Sequence, residues 1–215
     1  MRHIIFFLVT LSSSVYSAQP NFSTPSNIDI EENIDFVTTV EATDPDGTSI
    51  AYKLIKSYKD SNKFFIGPAS GQLYFKSAQD YENPRDLNND NNYVLKVLAT
   101  DENNEIRRKV ISVRVTNIND EPPSISNARN KENILENHLF VRDYDAEDLD
   151  SDELTWTLDS TYNQSSFFSI NSSSGKLYFN NIPDYENPDS GTNQNRVKIN
   201  VSDGDNISSR NIVVN

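Results

Sequence analysis

The sequence predicts an all-β protein built from two tandem β-sandwiches of about seven strands each. Three observations carry this expectation. Apolar residues alternate with polar ones at a period of two, clusters of Asn, Asp, Gly and Pro interrupt them at short intervals, and several motifs occur twice at one spacing. The duplication sets the domain count. Glu32-Asn33 returns as Glu136-Asn137, Ala42-x-Asp44-x-Asp46 as Ala146-x-Asp148-x-Asp150, Gly71-x-Leu73-Tyr74-Phe75 as Gly175-x-Leu177-Tyr178-Phe179, and Asp80-Tyr81-Glu82-Asn83-Pro84 as Asp184-Tyr185-Glu186-Asn187-Pro188, all offset by 104 positions. Ala99-Thr100-Asp101 and Val201-Ser202-Asp203 are offset by 102, as a short deletion in the preceding loop would produce. The copies are assigned to 19–116 and 124–215.

Within each copy the strands follow in order. Ile50, Tyr52 and Leu54 alternate with Ala51 and Lys53; Tyr93, Leu95, Val97 and Ala99 share one side; Ile111, Val113 and Val115 face away from Ser112 and Arg114. In the second copy Leu154, Trp156 and Leu158, then Val197, Ile199 and Val201, repeat the pattern, which places Tyr52 and Trp156 in the cores. Side chains of a strand point alternately to its two faces, so each strand offers one apolar face to a facing sheet. No helical stripe of ten or more residues interrupts them. Between the copies, Asn117-Ile118-Asn119-Asp120-Glu121-Pro122-Pro123 forms a Gly-free linker whose two prolines favour a stiff, extended chain.

At the N-terminus, Arg2 and His3, the apolar stretch Ile4–Leu11 and the small polar residues up to Ala18 have the order of a secretory signal, assigned to 1–18. The apolar stretch is far shorter than the ~20 residues of a membrane span, and no later segment could cross as a helix. A secreted or cell-surface protein, extracellular or in a bacterial envelope, is therefore expected.

Composition narrows the chemistry. The chain of 215 residues has 19 Lys and Arg against 32 Asp and Glu, a formal charge of −13, which argues against nucleic acid or an anionic membrane as partner. With no cysteine there is no disulfide, thiolate metal site or cysteine nucleophile. No phosphate-cradling Gly motif is present. His138 is the one histidine beyond the signal segment and is read as a surface strand residue.

The repeated polar residues are nearly all carboxylates. Two such charges ~4 Å apart repel by ~4 kcal/mol at an effective dielectric of 20, a large cost for a marginally stable domain. No basic residue lies inside the motifs, so a hard cation is the expected counter-charge. Oxygen ligands without His or Cys suit Ca2+, with ~6–8 ligands, better than Mg2+. Asp148-x-Asp150-x-Asp152 is not an EF-hand loop: Glu153 stands where that loop needs Gly, Asp159 where it needs Glu, and strands flank it. The Asp86-Asn88-Asp90 loop, without a counterpart in the second copy, reads as a solvated loop.

Together, Glu32-Asn33, Ala42-x-Asp44-x-Asp46, Asp80-Tyr81-Glu82, Ala99-x-Asp101 and the 117–123 linker resemble a cadherin repeat and its linker, and the second copy repeats all but the linker. The Asp-x-Asp-x-Asp-x-Leu-Thr and Asp-Tyr-Glu-Asn-Pro forms are most similar to cadherin-like repeats of bacterial surface proteins. The resemblance implies seven-stranded Greek-key sandwiches with calcium at the junction of successive repeats. It assigns as ligands Glu32, Asp80 and Glu82 at the base of the first repeat, Ile118, Asn119, Asp120 and Glu121 in the linker, and Asp148, Asp150, Asp152 and Asp203 at the top of the second. Asn117 replaces the usual Asp and Glu121 the usual Asn, which leaves the number of ions open.

The implied function is calcium-dependent adhesion or surface interaction, with other surface proteins or like molecules as partners and homophilic binding among the options. The stretch Gln19-Pro20-Asn21-Phe22 lacks the early Trp of strand-exchanging cadherins. The alternative is a non-catalytic carbohydrate-binding or spacer module of an envelope protein, with Tyr162, Phe167 and Phe168 as a sugar platform. An enzyme is not expected, because acids duplicated at constant spacing describe a structural device better than one active site.

Overall fold

The computed structural model describes residues 17–150, 153–162 and 164–215. The signal segment up to residue 16, and Asp152 among the assigned ligands, lie outside them. The chain divides into two compact units, Met1–Thr116 and Asn117–Asn215, and both are all-β.

The first unit contains β1 (Asn21–Phe22), β2 (Asn27–Glu31), β3 (Phe36–Thr39), β4 (Ala42–Thr43), β5 (Ile50–Leu54), β6 (Phe64–Ile66), β7 (Gln72–Phe75), β8 (Asn92–Asp101) and β9 (Ile106–Thr116). A four-stranded sheet runs β2-β9-β8-β5 and a three-stranded sheet β3-β7-β6, while β1 pairs with β4. The seven strands of the two larger sheets form the Greek-key sandwich. Among the described residues of this unit only β2 and β9 run parallel. The first strand line switches sheets at Ser23–Ser26, where Pro25 has no N–H to continue a ladder. Buried Thr24 secures the switch by accepting the Glu41 N–H at 2.6 Å.

The period-two reading of β8 holds over its length. Tyr93, Leu95, Val97 and Ala99 are fully buried, opposite Ile111 and Val113 of β9. Phe64 and Phe75 stack at 4.3 Å across the three-stranded sheet, and Tyr93 meets Phe75 edge-on at 4.9 Å, joining the two layers. Burying each such side chain stabilises the sandwich by roughly 1.5–3 kcal/mol.

The second unit repeats the plan with β10 (Ser124–Ile125), β11 (Lys131–Glu132), β12 (Phe140–Asp143), β13 (Ala146–Glu147), β14 (Thr155–Leu158), β15 (Phe168–Ile170), β16 (Lys176–Phe179), β17 (Asn195–Ser202) and β18 (Ile207–Val214). Its sheets are β11-β18-β17-β14 and β12-β16-β15, with β10 on β13. Trp156 is buried and packs near Tyr144. The duplicated Gly71 and Gly175 have φ of 69° and 67°, and a Cβ would lie 2.1 Å from the Val40 carbonyl and 2.3 Å from the Tyr144 carbonyl, respectively. These carbonyls press against the glycine backbone, so only Gly fits there.

Two local expectations are corrected. His138 is exposed but lies in the loop before β12, because the turn at Glu136-Asn137, with Asn137 at φ 63°, delays the strand. Asp86 is buried rather than solvated: its carboxylate accepts the backbone N–H groups of Asn88, Asp90 and Asn91, each at 3.1 Å, and organises its own loop.

Candidate metal centre

The acids at the end of the first unit are set by a turn rather than by strand alternation. After β2 the chain bends at Glu32-Asn33, with Asn33 in the left-handed region at φ 61°, and the Asn33 N–H donates to the Gln79 carbonyl at 2.9 Å. That bond brings the two motifs side by side. Glu32 is only 2% exposed and accepts the Tyr81 N–H at 2.7 Å. Asp80 is exposed and accepts the Asn83 N–H at 2.9 Å, and Glu82 is half-buried.

In the second unit the same corner is formed by Asn137 donating to the Pro183 carbonyl at 3.1 Å and Tyr185 donating to Glu136 at 3.3 Å. Glu136, Asp184 and Glu186 bring one carboxylate oxygen each within 4.8 Å of the others, all on exposed residues.

The linker and the other end of the second unit form a tighter arrangement. The backbone N–H groups of Asp120 and Glu121 donate to Asp150 Oδ2 at 3.1 and 2.9 Å, and the Asn117 amide donates to the Asp150 carbonyl at 3.1 Å. The Asn119 amide donates to the Asp203 carbonyl at 3.4 Å and accepts from the Asn206 amide at 3.3 Å. The linker is thus fastened to the loops it precedes. Half-buried Ile118 lies within this segment, whereas the Asp120 and Glu121 residues are exposed.

Each acid of this end uses one oxygen to hold backbone. Asp148 Oδ1 accepts the Asp150 N–H at 2.8 Å, so these two acids occupy a turn instead of an extended run leading into β14. Asp203 Oδ1 accepts from the N–H groups of Asp205 and Asn206 at 2.8 and 2.6 Å. The second oxygens behave differently: Asp148 Oδ2, Asp150 Oδ1 and Asp203 Oδ2, together with Asn117 Oδ1, are buried without a hydrogen-bond donor. Burying an acceptor without a donor costs about 1–3 kcal/mol, and more when it is charged. Desolvation pushes the Asp203 carboxyl up, but the Asn206 and Asp205 N–H groups and the Asn206 and Asn119 amides outweigh it, so its pKa lies below the ordinary carboxylate value. The group is an anion at neutral pH.

These atoms are all hard oxygens, which is the chemistry a calcium ion takes. Asn117, outside the assigned ligand set, shares this feature. As an amide in place of an acid it contributes a neutral oxygen, and its position directly after β9 was the available signal.

The comparisons with known proteins fit this description. Residues 26–116 match the family model described as the cadherin domain. The first unit therefore contains a cadherin domain. Mouse protocadherin Fat 4 is 31% identical over 157 residues, covering 70% of this chain and 3% of that protein; human protocadherin Fat 4 is 29% identical over the same length. The chain therefore spans only a few per cent of the curated relatives it matches. Among solved structures, human protocadherin-24 EC1-2 superposes with a TM-score of 0.73 at 15% identity, covering 93% of this chain and 97% of that one. Drosophila N-cadherin EC1-4 gives 0.72 at 19% identity, covering 92% and 49%. At these identities the structural likeness establishes the cadherin fold.

Proposed function

We propose that this chain is a non-catalytic, calcium-binding cadherin module of a secreted or cell-surface protein, acting in adhesion or surface interaction. The observation that carries the reading is the set of four buried, donorless oxygens on Asn117, Asp148, Asp150 and Asp203. A divalent cation there would replace the missing donors and offset the crowded negative charge. In this reading Asp120, Asn119, Ile118 and Glu121 of the linker and Glu32, Asp80 and Glu82 of the preceding repeat complete the coordination, with Asp152 as a further ligand. Calcium then stiffens the linker, and its removal leaves repelling carboxylates. Partners are other surface proteins or like molecules. Among the described residues no helix is long and apolar enough to cross a membrane.

The test is calorimetric melting in millimolar calcium and in excess chelator, on the wild type and on Asp120→Ala. The expected result is a higher midpoint with calcium and a smaller calcium response in the variant. Superimposable melts of the wild type in calcium and chelator would overturn the proposal.

The sugar-platform alternative changes shape in the structure. Phe168 is buried and stacks on Phe179 at 4.5 Å, and Phe167 packs against the core, so neither forms a platform. Tyr162 alone stays available.

A further inference from the structure

The inner face of β17 lacks a ring that the inner face of β8 carries. At the offset of 102 residues shared by these strands, Tyr93 corresponds to Asn195. The registers agree: Tyr93 lies opposite Val113 and Asn195 opposite Val214, and both valines are fully buried. In the first unit the Tyr93 ring meets Phe75 edge-on at 4.9 Å, and its hydroxyl accepts the Arg85 N–H at 3.0 Å. An asparagine side chain is too short to replace that ring.

The surroundings of the ring are kept. Phe168 stacks on Phe179 at 4.5 Å as Phe64 does on Phe75 at 4.3 Å. The Asn193 amide donates to the Tyr185 carbonyl at 3.0 Å, as the Asn91 amide does to the Tyr81 carbonyl at 2.8 Å. Losing a large side chain from a frame that does not collapse leaves a void. The void is an open-ended slot of about 70 Å3, lined by Asn195, by Phe179 in the place of Phe75 and by Asp189 in the place of Arg85. That is several times the ~10–15 Å3 that one water needs. Ile134, Phe167, Pro183 and Pro188 add apolar walls, and Phe167 stands where the first unit has Lys63. Ser190 and Thr192 add polar edges, while the exposed acids Glu136, Asp184 and Asp189 disfavour an anionic occupant.

We infer that this slot receives the tyrosine side chain of a partner chain, taking from outside the ring that β17 does not supply. Its walls correspond to those that hold Tyr93 in the first unit, so a phenol has the shape and polarity they fit. The Asn195 amide offers both a donor and an acceptor to the phenol hydroxyl. An aromatic anchor seated in an apolar pocket with a polar rim is the anatomy of the strongest points of protein interfaces. Space for a single ring favours a side chain over a free molecule, because the chain that carries it adds contacts across the rim. The inference rests on the surface-interaction reading and names one anchor for it. None of the residues assigned to calcium lines the slot.

The experiment is an NMR titration of the whole isotope-labelled chain in millimolar calcium, with N-acetyltyrosinamide, p-cresol and N-acetylalaninamide as probes. Saturable one-to-one binding of the first two is expected, moving the ring resonances of Phe167 and Phe179 and leaving those of Phe64 and Phe75 in place; the alanine probe should not bind. Asn195→Tyr refills the slot from within. It should abolish binding and raise the calorimetric midpoint of the second unit by at least about 4 °C, with the calcium response unchanged. Phe167→Lys, which restores the first unit's residue at a half-buried position, should weaken binding by about threefold to tenfold. No binding of N-acetyltyrosinamide, shifts confined to other residues, or full affinity in folded Asn195→Tyr would overturn the inference. Binding of p-cresol without N-acetyltyrosinamide would overturn it in favour of a free phenol. An intact calcium-dependent melt beside any of these failures leaves the calcium reading standing, whereas a lost calcium response with tyrosine binding retained fails that reading alone.

Discussion

The ends of the two units that carry Asp-x-Asp differ in how their acids are satisfied. In the first unit Asp44 Oδ1 accepts the Asp46 N–H at 3.1 Å, and its Oδ2 accepts both the N–H of Thr48, at 2.9 Å, and the Thr48 hydroxyl. Asp101 accepts the Glu105 N–H at 2.8 Å. In the second unit the corresponding Asp148, Asp150 and Asp203 each keep one buried oxygen without a donor. The motif is shared, but both oxygens of Asp44 are satisfied within its own turn, whereas one oxygen of Asp148 is not. Position 48 differs in sequence: the Thr48 hydroxyl is a side-chain donor where the second copy has Asp152, which has none when ionised.

Four predictions test this contrast, the largest effect first. Chelating calcium should cost the second unit about 2–3 kcal/mol at ligand concentrations near a hundred times Kd. That corresponds to a midpoint lower by roughly 10–15 °C, read by calorimetry with resolved transitions for the two units. If the first unit alone responds, the contrast is reversed. Next, Asp150→Ala removes the acceptor of the Asp120 and Glu121 N–H groups as well as a proposed ligand. It should destabilise by about 1–3 kcal/mol in calcium and flatten the calcium response, as followed by chemical denaturation.

Asp86 provides a control that no metal is asked to explain. Its burial raises the carboxyl pKa, but three backbone N–H groups outweigh this and leave it lowered. Because the folded pKa is depressed, this stabilisation is complete above the unfolded value of about 3.9 and disappears as pH falls through the lower folded value. Asp86→Asn should therefore lower stability by about 1 kcal/mol at pH 7, with the gap to wild type closing as pH falls below the unfolded value; denaturation at a series of pH values measures it. The smallest effect is expected for Asp44→Asn, which retains acceptor capacity for Thr48 and Asp46. Calcium titration of this variant should match the wild type, and a large drop in affinity would place a cation at the first unit's end too.

Much of the fold was legible because its determinants are local and repeated. The alternation at Tyr93–Ala99 and Val197–Val201 states which face is buried without knowledge of the partner sheet, and the 104-residue offset counts the copies. The splitting of each first strand line, by contrast, depends on hydrogen bonds such as that between Thr24 and Glu41, which are remote in sequence. Asp86 and His138 were misplaced because their settings depend on turn geometry: three N–H groups converging on one carboxylate, and a left-handed Asn137. Phe168 could not be told from a surface aromatic until its stacking on Phe179 was seen.

By itself the sequence determined the all-β class, the duplication, and a ligand chemistry restricted to carboxylate, amide and carbonyl oxygen, since composition and periodicity are properties of the chain. Only the tertiary structure decided which of the duplicated acids retain an oxygen without a donor, and that Lys198 pairs with Asp159 whereas Lys96 lies over Tyr58. Hydrogen-bond satisfaction is settled by a few ångströms of geometry between residues far apart in sequence. Two copies with the same motif can therefore differ in what they hold.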